Sequence, residues 1–271
     1  MSGRPGGAVR QADEDDEMTE TDRAKFKHFI SLGSFCSVAL DLEALGLREA
    51  SMPFDWNIDL RFEGVIDCIE NHFEHFLDEE ELSQSEEAPE HYKNRYDIQF
   101  FHDFNMWEPL AAQLPAVQDK YERRIRHFYQ ITAEPTLFIR YMDDRILEED
   151  GAVHELRYIE ENYDHIMDVL KALCPENELI LIANSEVKSD KLSLYSVEKD
   201  MGDIVARVPR EKNRELGELL DSFSVPDQEA NRLRGAAAAK RRRQIERQHK
   251  LEKIMVKTGI KKPYRHDKTY R

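Results

Sequence analysis

The chain has 271 residues and carries 55 acidic against 39 basic side chains, for a formal net charge of −16. This length and a 40% hydrophobic content suffice for one large domain with a packed core. A charge this negative argues against a protein whose whole surface coats nucleic acid. The charge is divided along the chain, because residues 231–271 hold 15 basic and 3 acidic side chains and the remaining 230 residues have a net charge of −28.

The composition of the N-terminus and the few cysteines indicate the setting of the protein. Residues 1–24 are glycine-rich and then acidic, which predicts disorder. They lack the apolar core of a signal peptide, and no other stretch is long and apolar enough to span a bilayer. Three cysteines in a chain of this length do not form a disulfide framework. We therefore expect an intracellular, cytoplasmic protein that makes no membrane contact.

Hydrophobic periodicity predicts strands that alternate with helices between residues 25 and 227. The predicted strands cover 28–32, 96–102, 136–141 and 178–183, with a further edge strand at 204–208. The predicted helices cover 38–46, 62–77, 117–131, 155–173 and 211–220. This alternation is typical of a single α/β layered domain with a largely parallel central sheet flanked by helices.

Cys36 is the residue with the clearest chemical potential. It follows a predicted strand and Gly33, and it stands at the start of the predicted helix 38–46. The N–H groups and the dipole at a helix N-terminus lower the pKa of a thiol and favour the nucleophilic thiolate. We therefore predict that Cys36 is a catalytic nucleophile, with an inert, buried cysteine in the first helical turn as the alternative.

A thiol nucleophile needs a base, and His102 is the candidate. It ends the predicted strand 96–102, and reactive groups of α/β proteins collect at the carboxyl ends of parallel strands. If that strand lies parallel and adjacent to strand 28–32, His102 and Cys36 face one another.

A carboxylate that orients the imidazole completes such a site. Asp103 directly follows His102, and Asp55 lies in a Pro-Phe-Asp-Trp loop that can return over the same end of the sheet. The two are equal candidates. Asn184, which follows the strand 178–183, ranks behind them.

Four residues are candidate substrate-binding groups: Ser34, Trp56, Arg140 and Asn184. Arg140 is a charge inside an apolar strand, and such a charge is costly unless it is paired. It either anchors an anionic substrate or pairs with Asp143 or Asp144. Trp56 either lines a pocket or packs in the core.

Three sequence blocks carry a family resemblance: Ser-Leu-Gly-Ser-Phe-Cys-Ser-Val-Ala at 31–39, Pro-Phe-Asp-Trp at 53–56 and His-Asp-Phe at 102–104. In this order the chain resembles the putative papain-like cysteine peptidase family (DUF1796) over roughly residues 26–185. The resemblance implies a cysteine nucleophile at Cys36, a histidine base at His102 and an acidic helper. It also makes a papain-like α+β arrangement the alternative fold. Phe35 stands where we expect asparagine in that family, so an oxyanion contribution from that side chain is not expected here.

We therefore expect a cysteine-dependent hydrolase that acts on a peptide or another amide. One alternative is an SGNH-like esterase or acyltransferase with Ser34 as the nucleophile, although the usual Asp-x-x-His is missing near the end. The other alternative is a non-catalytic α/β module that binds a ligand. No zinc-site spacing and no glycine-rich phosphate loop occurs, so we expect neither a metal nor a cofactor.

The last part of the chain, residues 228–271, is predicted to be a basic tail. Its cluster at 240–243 (Lys-Arg-Arg-Arg) is typical of nuclear-localisation signals and of nucleic-acid-binding segments. We expect any contact with nucleic acid, or any entry into the nucleus, to depend on this tail. Folding of the tail back on the acidic body is the alternative.

Overall fold

A computed structural model describes residues 25–270, apart from the side chains at 246, 248 and 249. The predicted disordered segment 1–24 lies outside the described residues. Within them, the helices are α1 Cys36–Leu45, α2 Phe62–Glu70, α3 Leu110–Thr132, α4 His154–Leu173, α5 Arg214–Ser222 and α6 Gln228–Lys257. The strands are β1 His28–Ser31, β2 Asn57–Asp59, β3 Ser83–Ser85, β4 Tyr92–Lys93, β5 Ile98–Phe100, β6 Thr136–Tyr141, β7 Glu178–Asn184, β8 Tyr195–Val197 and β9 Thr269–Tyr270.

A parallel sheet of four strands forms the centre of the fold, in the order β1-β6-β7-β8. All three of its pairings are parallel, and β6 is buried along its whole length. Such strands need helices on both faces, which explains their continuous apolar sequences. The predicted α/β domain with a largely parallel sheet flanked by helices is confirmed.

Two hydrophobic clusters lie in this helix-covered structure. One contains apolar side chains of α2, α3 and α4 together with those of the second sheet. The other contains apolar side chains of α1 and α5. Because β6 contributes Phe138 to the first cluster and Leu137 and Ile139 to the second, its alternating side chains mark the two faces of the sheet.

A second sheet has the strand order β2-β5-β4-β3-β9, and its pairings are antiparallel except for β3 with β9. The strand predicted over 96–102 is only Ile98–Phe100, which is β5. It belongs to this second sheet and not to the parallel sheet. In this sheet β5 pairs with β2, not with β1. The expectation that residues 28–32 and 96–102 form adjacent parallel strands is wrong.

The predicted edge strand at 204–208 is also wrong, because β8 at Tyr195–Val197 forms that edge of the parallel sheet. The backbone at 204–208 makes other hydrogen bonds. The N–H of Ala206 donates to the Tyr141 hydroxyl over 3.0 Å, and the N–H of Arg207 donates to Asp200 over 2.8 Å. These side-chain partners replace the ladder that an alternating apolar sequence predicts.

The basic segment after residue 227 begins with the 30-residue helix α6, which contacts α1. Asn231 donates to the Gly46 carbonyl over 3.0 Å, and Gln228 donates to the Leu45 carbonyl over 2.8 Å. These carbonyls lie at the C-terminus of α1, where main-chain carbonyls have no N–H partner within the helix. The segment then reaches the second sheet as β9. Of the two arrangements expected for the tail, the structure shows the one that folds back on the acidic body.

Candidate active site

Cys36 is the first residue of α1, and its side chain is partly exposed. The preceding residue, Phe35, has an extended backbone and no side-chain hydrogen bond to the helix end. The first-turn N–H groups therefore have no capping side chain, and the positive end of the helix dipole faces the thiol. Cys68, by contrast, is buried inside α2, and burial raises the pKa of its thiol well above the ordinary value.

The turn before Cys36 is held by the backbone of Asp59 in the second sheet, and the buried Asp59 carboxylate packs against it. The N–H of Asp59 donates to the Ser34 carbonyl over 3.3 Å. Gly33 has a positive φ of 83°, and a Cβ atom at this position would collide with the Asp59 carboxylate. Glycine is therefore required here for both its conformation and its size.

Arg140 lies beneath this turn and is fully buried. Its Nε and Nη2 donate to Glu155 over 2.7 and 2.9 Å, and its Nη1 donates to the Leu32 carbonyl over 2.7 Å and to the Asp59 carboxylate. The expectation that Arg140 pairs with Asp143 or Asp144 is wrong. A guanidinium enclosed in this way fixes β1, β2, β6 and α4 together, and the expected role in anchoring a substrate does not fit its burial.

Burial is also the largest influence on Asp59, and it raises the pKa of that carboxyl to about 7 despite the adjacent guanidinium. Attraction to Arg140 acts in the opposite direction. One Asp59 oxygen, Oδ2, has no hydrogen-bond partner among the described residues. The carboxylate thus supports the Cys36 turn from below.

Charged side chains form the exposed rim around the carboxyl ends of the parallel strands. Arg145 stacks on the Phe35 ring at 4.9 Å from the ring centroid, and its Nε donates to Asp143 over 2.7 Å. Lys199 pairs with Asp144 at 2.7 Å. The rim therefore presents both signs of charge next to the residue that precedes Cys36.

Asn184 belongs to the same edge but is buried. Its Oδ1 accepts a 2.7 Å hydrogen bond from Tyr141, and its Nδ2 donates to Asp144 over 3.0 Å. These bonds use both ends of the amide. The structure therefore gives Asn184 a bracing role between β6, β7 and the following loop.

Ser34 is also fully buried, and its hydroxyl has no hydrogen-bond partner among the described residues. A buried hydroxyl cannot meet a substrate from solvent. This position argues against the alternative in which Ser34 is the nucleophile of an SGNH-like enzyme.

His102 follows β5 of the second sheet, whereas Cys36 follows β1 of the parallel sheet. Asp59, which contacts the Cys36 turn, is paired with Ile98 at the beginning of β5. His102 follows the other end of that strand and is exposed, with its ring beside that of Phe101. The pairing of His102 with Cys36 stays a prediction.

The two candidate orienting carboxylates have other partners. Asp103 forms an ion pair with Lys120, and one of its oxygens lies 3.0 Å from the Tyr121 hydroxyl. Asp55 is fully buried and accepts hydrogen bonds from Arg48 over 2.6 Å and from the Met52 N–H over 2.8 Å. Both carboxylates thus stabilise loops of the second sheet.

Trp56 is largely buried between two guanidinium groups. Arg48 lies 4.8 Å and Arg242 lies 4.4 Å from its ring, and its Nε1 donates to Ser51 over 3.0 Å. The Trp56 ring is covered by α6 of the basic segment. These contacts therefore do not fit the expected role of Trp56 in lining a pocket.

Sequence reasoning missed two residues at the carboxyl edge of the parallel sheet. One is Arg145 on the rim. The other is His154, which begins α4 and pairs with Glu63 at 2.7 Å and Glu148 at 2.5 Å. The bond to Glu63 is the main cause that raises the pKa of His154. The available signal was position, since Arg145 lies between β6 and α4 and His154 is the first residue of α4.

Among residues 25–270, no cluster of histidine, cysteine or acidic side chains has the arrangement of a metal site. In the same part of the chain, no helix has the length and apolar character needed to cross a membrane.

Comparison with known proteins supports the motif resemblance. The chain is 27% identical over 187 residues to a protein named "Uncharacterized protein R408" from Acanthamoeba polyphaga mimivirus, covering 59% of this chain and 79% of that protein. No solved structure gives a significant match. A family model described as putative papain-like cysteine peptidase (DUF1796) matches residues 27–157. The match begins at β1 and ends within α4, so it is shorter than the predicted extent of 26–185, and it includes Cys36, Asp55, His102 and Arg140. The resemblance predicted from the three blocks is confirmed over residues 27–157, the part of the chain that this family model matches.

Proposed function

We propose that this protein is a cysteine-dependent hydrolase of peptide or other amide bonds, with Cys36 as its nucleophile. The observation that supports it most is the partly exposed position of Cys36 at the uncapped N-terminus of α1, inside the segment that matches the peptidase family. This end of a helix stabilises the thiolate, which is the reactive form of a cysteine.

The reaction follows from thiolate chemistry. The Cys36 sulfur attacks the carbonyl carbon of the amide, the C–N bond breaks, and the amine leaves with a proton from the solvent or a neighbouring acid. Water then hydrolyses the thioester, which releases the carboxylate product and returns the thiol. Main-chain N–H groups at the start of α1 are the candidate donors to the developing oxyanion.

Peptide cleavage tests this proposal directly. Wild-type and Cys36→Ser chains are incubated with a peptide library of broad composition, and new termini are identified by mass spectrometry. We expect cleavage by the wild type and a loss of at least about 100-fold in Cys36→Ser, because serine lacks a stabilised anion at neutral pH. Cys174→Ser, which changes a cysteine outside the matched segment, is the control and should retain cleavage. Equal cleavage by wild type and Cys36→Ser, or none by either, contradicts the proposal.

A non-catalytic ligand-binding module is the second candidate, and the partners of the two candidate orienting carboxylates favour it. A catalytic histidine needs a carboxylate or amide that orients its ring, whereas here Asp103 pairs with Lys120 and Asp55 pairs with Arg48. In that case Cys36→Ser would leave the protein's ligand affinity unchanged. The cleavage experiment separates the two candidates.

We also propose an intracellular, cytoplasmic setting. Its support is that Cys36, Cys68 and Cys174 are thiols rather than disulfides. Oxidised mass or a disulfide-linked form of the protein from its native cells would contradict it.

A further inference from the structure

The helix α6 presents two chemically different sides. Its inner side is fixed to the acidic body: Arg242 pairs with Glu43, and Lys253 pairs with Glu90 at 2.9 Å. Gly235 is buried there, and a Cβ atom at that position would collide with the Glu43 side chain. These contacts fix the rotation of the helix and so decide which residues face outward.

The outer side carries a row of exposed cations. Lys240, Arg243, Arg247 and Lys250 follow one another at spacings of three and four residues, and each is exposed. This spacing puts them on one side of a helix. With Lys257 the row extends over 18 residues, and the first and last lie about 25 Å apart at the rise of an α-helix.

The outer cations are not neutralised by the body. The helix holds ten Lys or Arg and three Glu. The ion pairs described for its cations involve Arg232, Arg242 and Lys253. Lys240, Arg243, Arg247 and Lys250 form no ion pair with a described side chain. The outer side of α6 is thus basic, whereas the rest of the protein is strongly acidic.

A partner for this row must be a polyanion with regularly spaced charge. The segment Gln228–Lys257 contains no Phe, Trp or Tyr, so it offers no aromatic ring on which an unpaired base could stack. Among its exposed apolar residues, Leu251 and Ile254 are close together, but Leu233 lies five turns away and Ile245 points to another side, so they form no continuous apolar face for a membrane. The backbone of a nucleic-acid duplex fits these features, since Lys and Arg side chains at suitable spacing are sufficient to bind its phosphates.

We propose that the outer side of α6 binds the phosphate backbone of double-stranded nucleic acid without sequence preference. The row supplies about four or five phosphate contacts, so the logarithm of the binding constant should fall with the logarithm of salt concentration with a slope of about −4. The proposal is independent of the chemistry at Cys36.

Fluorescence anisotropy of the full chain with labelled 20-base-pair duplexes tests it, in arms with DNA and with RNA, between 50 and 300 mM NaCl. The variant carries Lys240→Gln, Arg243→Gln, Arg247→Gln and Lys250→Gln. Its matched control carries four substitutions of exposed cations elsewhere, namely Arg123→Gln, Arg126→Gln, Lys171→Gln and Lys188→Gln, and has the same net charge. Circular dichroism verifies that both variants are folded.

We expect wild type to bind at least one duplex, the α6 variant to lose at least about tenfold in affinity with a shallower salt slope, and the control to stay within about twofold. Binding to DNA and RNA alike supports backbone recognition, and preference for one identifies the duplex that is bound. Absence of binding at 50 mM NaCl overturns the proposal, as does equal loss in both variants. Stronger binding to vesicles of anionic lipid than to either duplex also overturns it, in favour of a membrane surface.

Discussion

At the scale of single residues, the best-defined feature is the enclosed charge of Arg140. The sequence showed that a charge inside an apolar strand needs a partner. It could not show which one, because Asp59 and Glu155 are 81 and 15 residues away and are brought to Arg140 by β2 and α4. Two carboxylates around one guanidinium satisfy its donors without water. Because acids such as Asp143 are close in sequence, a local partner for Arg140 was expected, but tertiary packing places more distant carboxylates against it.

Replacement of Arg140 by methionine should strongly destabilise the fold. Asp59 and Glu155 would stay buried without their cation, and breaking a buried pair in this way costs about 3–5 kcal/mol. Urea denaturation of Arg140→Met measures this loss in the free energy of unfolding. Arg157→Met is the control, since Arg157 pairs with an exposed aspartate and its own side chain is 37% exposed. A change in Arg140→Met as small as that in the control would contradict the structural role.

The buried carboxyl of Asp41 on α1 gives a prediction about pH. Burial raises the pKa of the Asp41 carboxyl from its ordinary value of 3.8 to about 6. The folded chain therefore holds this proton more tightly than the unfolded chain, and the stability that the proton provides is lost as the pH rises from about 4 to about 6. Asparagine resembles the protonated form. Relative to wild type, Asp41→Asn should gain about 2–3 kcal/mol of unfolding free energy between pH 4 and pH 7.

Urea denaturation at pH 4, 5.5 and 7 checks this expectation. Asp221→Asn is the control, because Asp221 also pairs with Arg210 but is exposed. A difference between Asp41→Asn and wild type that does not change with pH would show that the pKa of Asp41 is ordinary.

At the scale of elements, long periodic segments were predictable and short strands were not. The parallel strands β1, β6 and β7 and the helices α3 and α4 were expected, since their apolar residues recur over several turns or along a whole buried strand. The three-residue strands β2 and β5 bury few side chains each, and periodicity does not reveal their partner. Periodicity therefore did not reveal that His102 follows a strand of the antiparallel sheet.

The contact between α1 and α6 can be tested with two glycines of the same conformation. Gly46 and Gly259 both have φ of 72°. A Cβ atom on Gly46 would collide with the Gln228 carbonyl, whereas nothing lies within 4 Å of one on Gly259. Gly259→Ala should cost about 1 kcal/mol of conformational strain. Gly46→Ala should cost about 1–3 kcal/mol more, because the first turn of α6 must move.

Chemical denaturation gives these costs, and limited proteolysis reports whether α6 is released. Faster cleavage after residue 227 in Gly46→Ala than in Gly259→Ala is the expected result. Equal costs and equal cleavage in the two variants would show that α6 does not depend on its contact with α1.

At the scale of the whole molecule, the division of charge has a structural counterpart. The basic segment lies along the acidic body: Arg242 covers Trp56, Lys261 covers Trp107 at 4.1 Å, and β9 joins the second sheet. Cys36, by contrast, lies at the carboxyl edge of the parallel sheet. Among the predicted catalytic residues, Cys36 follows a strand of the parallel sheet, whereas Asp55, His102 and Asp103 adjoin strands of the second sheet.

Activation of the Cys36 thiol can be measured through the pH dependence of its alkylation. The full chain is treated with iodoacetamide between pH 5 and pH 10, and the modification of each cysteine is followed by mass spectrometry. The midpoint of the rate profile depends on the thiol pKa rather than on exposure, and glutathione serves as the ordinary thiol. We predict a midpoint for Cys36 below about 7.5, compared with about 8.5 for an unperturbed cysteine. A midpoint at or above that of glutathione would contradict the account.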